Sequence, residues 1–165
     1  MKVDNETYNY SCTINNQEFK YELKIIARFN ENLVQCPICE AYQCCGARDK
    51  FIWAEFENEK LAIHFEDGEF ENYLSNWYFD GITEDAYKSL PKFLKDFNEC
   101  KGWDNDDINP NSIIDAIDFK NAMEVIKNSK NNENIDLFLT NFYPIIIEFV
   151  DKVIKENKVL NIINN

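Results

Sequence analysis

The chain predicts an α+β domain in which an N-terminal antiparallel β-sheet, built from hairpins, is covered by a C-terminal helical layer. Three observations predict it. Apolar residues alternate through the first sixty-odd positions, they take up a helical period from Asp67 onward, and the four Gly stand isolated at positions 46, 68, 81 and 102, so no Gly-rich phosphate loop exists. At 165 residues a single domain is expected, mainly β over 1–66 and mainly α over 67–165, large enough to bury a core without a disulfide or metal staple.

Tyr8, Tyr10, Cys12 and Ile14 alternate with Asn9, Ser11 and Thr13, and Phe19, Tyr21, Leu23 and Ile25 alternate with Lys20, Glu22 and Lys24. Asn15-Asn16 between them tolerates positive φ, which makes the segment a β-hairpin. A second pair runs from Phe51 to Phe56 and from Lys60 to Phe65 with Glu57-Asn58-Glu59 as the turn, and Leu61, Ile63 and Phe65 share the face opposite Ala62 and His64. Asn30 to Lys50, between the hairpins, carries four of the six Cys.

The helical part begins with Phe70, Tyr73, Leu74, Trp77 and Tyr78, spaced as one face and stopped by Gly81. Thr83 caps a segment through Leu90. Pro91 restarts the chain, with Phe93, Leu94, Phe97 and Cys100 facing inward until Gly102. Asn109-Pro110 predicts the cap and first turn of a helix carrying Ile113, Ile114, Ile117, Met123, Val125 and Ile126. A last helix is expected from about Ile135 to Asn157, kinked or divided at Pro144.

Acidity is concentrated in one third of the chain. Between Phe51 and Pro110 fifteen Asp and Glu stand against five Lys, a net of −10 out of −13 for the whole. With 45% apolar and 15% aromatic residues this is a folded protein displaying acid, not a disordered acidic tail. Two Arg in the chain and so strong an acidity argue against direct nucleic-acid binding, whose affinity comes from Lys and Arg. The polar start gives no leader, and apolar runs such as Tyr143 to Ile147 fall far short of the ~20 residues a membrane helix needs. A cytoplasmic protein without membrane contact is the expectation.

Two local features could carry chemistry. Cys36-Pro37-Ile38-Cys39, followed by Cys44-Cys45, resembles the knuckle of a zinc ribbon. The alternative function is therefore a small zinc-stabilised protein, enzyme or adaptor, using Cys36, Cys39, Cys44 and Cys45, against the plainer reading of reduced thiols and no cofactor. His64, the one His, would have to serve any Cys-His or Ser-His hydrolase. Its place in an alternating strand reads instead as an ordinary sheet-surface residue. The run Asp104-Asn105-Asp106-Asp107 lacks the Gly and Glu that a calcium loop requires. No catalytic residue is assigned.

What remains is the acid itself. Glu66, Asp67, Glu69 and Glu71 stand where the last strand passes into the first helix, and Asp80, Glu84, Asp85, Asp104, Asp106 and Asp107 follow on the later turns. Trp77 and Trp103 lie among them as aromatic anchors of the kind that carry binding energy at protein interfaces. These twelve residues form the expected face for a protein partner.

Small, acidic, α+β and rich in aromatics, with no catalytic motif, the chain resembles the bacterial immunity proteins of polymorphic-toxin and contact-dependent inhibition systems. The resemblance is one of type. It implies inhibitory binding of a cognate basic toxin, often a nuclease, whose active site the acidic face would occlude or distort.

Overall fold

A computed structural model of the chain describes residues 6–29, 49–66, 69, 70, 74, 82–104, 110–128, 140 and 142–164. Strands β1 (Thr7–Ile14), β2 (Gln17–Phe29), β3 (Lys50–Phe56), β4 (Glu59–Phe65), β5 (Asn111–Ile114) and β6 (Leu160–Asn164) form one sheet in the order β1-β2-β4-β3-β6-β5. Helices α1 (Glu84–Lys88), α2 (Lys92–Asn98), α3 (Ala116–Lys127) and α4 (Tyr143–Lys155) follow the hairpins, with a 3₁₀ turn at Gly102–Asp104. The class is α+β.

Both expected hairpins form. Asn15 and Asn16 take φ of 51° and 63°, and Glu57 and Asn58 take 47° and 70°. Positive φ at both central residues matches the right-handed twist of the strands they join. Glu59, expected in the turn, is already the first residue of β4. The hairpins meet through β2 and β4, which run parallel, so the sheet is mixed and not wholly antiparallel.

A bulge in β2 redistributes its side chains. The register against β4 shifts between Ile25 and Ala27, leaving Ile26 as the extra residue. One inserted residue exchanges the two faces of a strand. Accordingly Leu23 and Ile25 pack with Phe51, Trp53 and Ala62 on one face, while Ala27 and Phe29 pack with Ile52, Ile63 and Phe65 on the other. Helices cover the second face: Phe119, Ala122, Met123 and Ile126 of α3 and Ile146, Phe149, Val150 and Val153 of α4 belong to that core, together with Phe93, Leu94 and Trp103.

Two expectations for the C-terminal half are corrected. Asn109-Pro110 does not open a helix: Asn111–Ile114 is β5, and α3 begins five residues later under Asp115, whose Oδ1 accepts from the Asp118 N–H at 2.7 Å. β-Branched Ile113 and Ile114 suit an extended backbone, and Asp115 supplies the cap that Asn109 was expected to give. The chain after Asn157 is also a strand. β6 lies between β3 and β5, with every residue buried.

Chain ends of the helices follow ordinary capping. Thr83 Oγ1 accepts from the Ala86 N–H at 3.2 Å, as expected for α1. Pro144 falls in the first turn of α4, where its missing N–H costs nothing, and Thr140 and Phe142 ahead of it form a π-helical turn. The part of the expected last helix at positions 135–139 lies outside the described residues. Cys100, expected inward, is exposed: at φ 50° it closes α2, with Cys100 N–H bonded to the Phe97 carbonyl and Lys101 N–H to that of Asp96.

Candidate partner-binding site

The sheet ends on β5, and that edge is where the described surface is most apolar. Asn164 N–H donates to the Pro110 carbonyl at 3.0 Å, which makes 110 and 164 a hydrogen-bonded antiparallel pair in the register that matches Asn111 with Ile163. Such pairs alternate. Ser112 and Ile114 therefore face β6 with their backbone groups, and Asn111 and Ile113 turn theirs to the open side.

Side chains reinforce that edge. Ile113 is 74% exposed, Ile117 at the start of α3 60%, and Val159 before β6 53%. The three line one shallow cleft of about 410 Å³ with Asp115 and Lys158. Three large aliphatic groups left in water together are unusual, because each would contribute roughly 1.5–3 kcal/mol if buried.

A larger open cleft, about 870 Å³, runs along the whole of β5 and shares Ile113 and Ile117 as its rim. Its far wall is Lys92, Phe93, Asp96, Gly102 and Trp103, and Asp115 and Asp118 close it from α3. Carboxylates build this wall. Asp118 accepts the Lys92 and Phe93 N–H groups at 2.9 and 2.7 Å, capping α2 from a neighbouring helix, and buried Asp96 holds Lys92 Nζ at 2.5 Å. Gly102 (φ 60°) is required there, since a Cβ would lie 2.4 Å from Asp96 Oδ2.

The twelve residues expected to form the partner face are not alike in the structure. Glu69 is 0% and Trp103 3% exposed, so both belong to the interior. Trp103 stacks on Phe93 with centroids 4.3 Å apart and donates its Nε1–H to the Phe93 carbonyl at 2.9 Å, which corrects its reading as a surface anchor. Glu66 is engaged by Arg28 Nε at 3.3 Å, and Arg28 also bonds Glu6. Glu84 and Asp85 are exposed on α1, with Glu84 paired to Lys88 at 2.9 Å, and Asp104 is half-buried beside Trp103. Asp67, Glu71, Trp77, Asp80, Asp106 and Asp107 lie outside the described residues, as do Cys36, Cys39, Cys44 and Cys45. Among the described residues no group of three or more His, Cys, Asp or Glu is placed to hold a metal ion.

His64 is buried at 4% exposure, which corrects its reading as a surface residue. The face of β4 that carries Ala62 is packed by Leu23 and Ile25 of β2 and by Phe51 and Trp53 of β3. The ring stacks on Phe51 at 4.2 Å, Nε2 lies 3.1 Å from Asp49 Oδ2, and Nδ1 has no hydrogen-bond partner among the described residues. A nearby aromatic group on the same face includes Tyr10 and Tyr21. Burial, then the Cys12 side chain, raises the Tyr10 hydroxyl pKa, and burial first also raises that of Tyr21.

No protein-family model, curated protein or solved structure matches the chain. Among the described residues no helix is long and apolar enough to cross a membrane.

Sequence reasoning missed Ile113, Ile117 and Val159. A signal was present: Asp115 three residues before Asp118, directly ahead of the Phe119 face, places the helix start after Ile114 and releases both Ile113 and Ile114 from the helix.

Proposed function

We propose that the protein is an acidic binding protein that neutralises a basic protein toxin, a nuclease above all, by occluding or distorting its active site, in the manner of the immunity proteins it resembles. One observation carries the reading: the exposed aliphatic group Ile113, Ile117 and Val159 sits at an open sheet edge and borders a cleft walled by Asp96, Asp115 and Asp118. An apolar centre with a charged rim is the anatomy of a protein–protein interface. The acid, part of a net charge of −13, speeds encounter with a basic partner, and the aliphatic centre slows dissociation.

The test looks beside the gene for an encoded toxin domain, expresses it in a bacterial host with and without this chain, and measures survival together with complex formation. Protection by the wild type, lost in a folded Ile113→Asp, Ile117→Asp variant, is the expected result. A chain that neither protects nor binds overturns the reading.

A further inference from the structure

We infer that the partner docks by adding an extended, basic segment to the open edge of β5, and this deepens the reading above and rests on it. The backbone supplies the first reason. Ile113 presents its N–H and C=O away from β6, by the alternation that the Asn164–Pro110 bond sets, so a strand laid alongside finds a donor and an acceptor already extended.

Sheet edges are blunted by being very short, by Lys, Pro or a bulge within the strand, or by a covering element. At four residues β5 has the first of these, but within the strand it carries no Lys, Pro or bulge. β5 reads Asn-Ser-Ile-Ile, and its one outward-facing apolar side chain, Ile113, is 74% exposed. The cleft of about 870 Å³ follows the strand along its full length, which leaves room for a second chain there.

Charge decides the occupant. Asp115 stands exposed at the end of β5, whereas Asp118 is engaged by the Lys92 and Phe93 N–H groups, and Lys92 and Lys158 also line the clefts. The local charge is therefore mixed, and it is the molecule's net −13 that favours an added strand carrying Lys or Arg, with an aliphatic residue against Ile113. A second copy of this chain would instead bring two sets of those carboxylates together, each on a molecule of net charge −13. A basic extended segment of another protein is therefore the committed partner.

The probe is a blocked synthetic hexapeptide alternating lysine and valine, titrated into the full chain and followed through the backbone amide resonances. Shifts centred on Ile113 are expected, with slowed exchange of its N–H. The same peptide N-methylated at alternate amides should bind about tenfold more weakly, since it loses the strand hydrogen bonds while keeping its charge. Ile113→Pro should weaken the unmodified peptide to a similar degree, because Pro removes only an N–H that faces away from β6. Should that variant fail to fold, the N-methylated peptide with the wild-type chain decides the matter. Binding that ignores both changes overturns strand addition and leaves the basic-partner reading in place. Absence of binding by the unmodified peptide overturns strand addition, the toxin reading then standing or falling on the survival test, and a concentration-dependent dimer in sedimentation that Ile113→Pro abolishes assigns the edge to a second copy instead.

Discussion

Trp53 Nε1 donates to Asn111 Oδ1 at 3.1 Å, and this bond reaches from β3 over the intervening β6 to the outermost strand. Trp53 is 6% exposed, so its N–H has few alternatives. Burial raises the Tyr21 pKa, and the Asn111 side chain works against that rise. One amide thus fastens the candidate docking edge to the aromatic face of the sheet.

Asn111→Ala should cost about 1–3 kcal/mol, the cost of leaving a buried donor unsatisfied. The loss should concentrate at β5. Hydrogen exchange would show Ile114 opening faster while β3 and β4 keep their protection; uniform loss across the sheet would mean the bond stabilises the whole and does not position the edge.

How far the sequence could be read follows from which signals are local. The hairpins were legible because Asn15-Asn16 and Glu57-Asn58 combine positive-φ turns with alternating flanks, and α1 and α2 because Thr83 and Pro91 mark their starts. β5 and β6 were not. Their pairing joins Asn111 to Ile163, some fifty residues apart, and strands of four and five residues show little alternation. Ile113, Ile114 and Ile117 also fit a helical face, so a helix was the simpler reading. The acidic face was only partly legible, since sequence gives the charge of Glu69 and the size of Trp103 but not that both are enclosed.

Gly102→Ala should destabilise the protein strongly, by about 2–4 kcal/mol. A Cβ there would lie 2.4 Å from Asp96 Oδ2 and 2.8 Å from its Cγ, and the position has a φ of 60° that costs an L residue roughly 1–2 kcal/mol by itself. Asp96 cannot move freely because it is buried and holds Lys92. Urea unfolding measures the cost, and a change under about 0.5 kcal/mol would show that the cleft wall is softer than its packing implies.

Stability should stay level up to about pH 10, the ordinary tyrosine value, and fall above it. The sign follows from the raised Tyr10 and Tyr21 pKa values. Folded, both hydroxyls hold their protons; unfolded, they lose them from about pH 10 upward, so rising pH favours the unfolded chain. Tyr10→Phe removes one of the two groups and should make the alkaline decline shallower. Chemical unfolding from pH 8 to 11 would check it, and identical slopes for the two proteins would assign the decline to other groups.

Core and surface roles separate in a last pair of variants. Trp103→Ala removes a ring that is 3% exposed, stacks on Phe93 and Phe97, and meets Phe70 edge-on. Its expected cost is about 3–5 kcal/mol of unfolding free energy, a large share of what a domain of this size possesses. Ile113→Asp with Ile117→Asp replaces side chains 74% and 60% exposed, so the fold should change by no more than about 1 kcal/mol. Binding reverses the order. A new carboxylate at each position places charge where an apolar partner side chain would sit, and affinity for a verified partner should drop by more than about tenfold. Unfolding must be measured beside binding for both variants. If the Ile double variant binds normally while Trp103→Ala stays folded and binds poorly, the contact surface lies near the 3₁₀ turn at Gly102–Asp104, and the β5 edge is not the docking site.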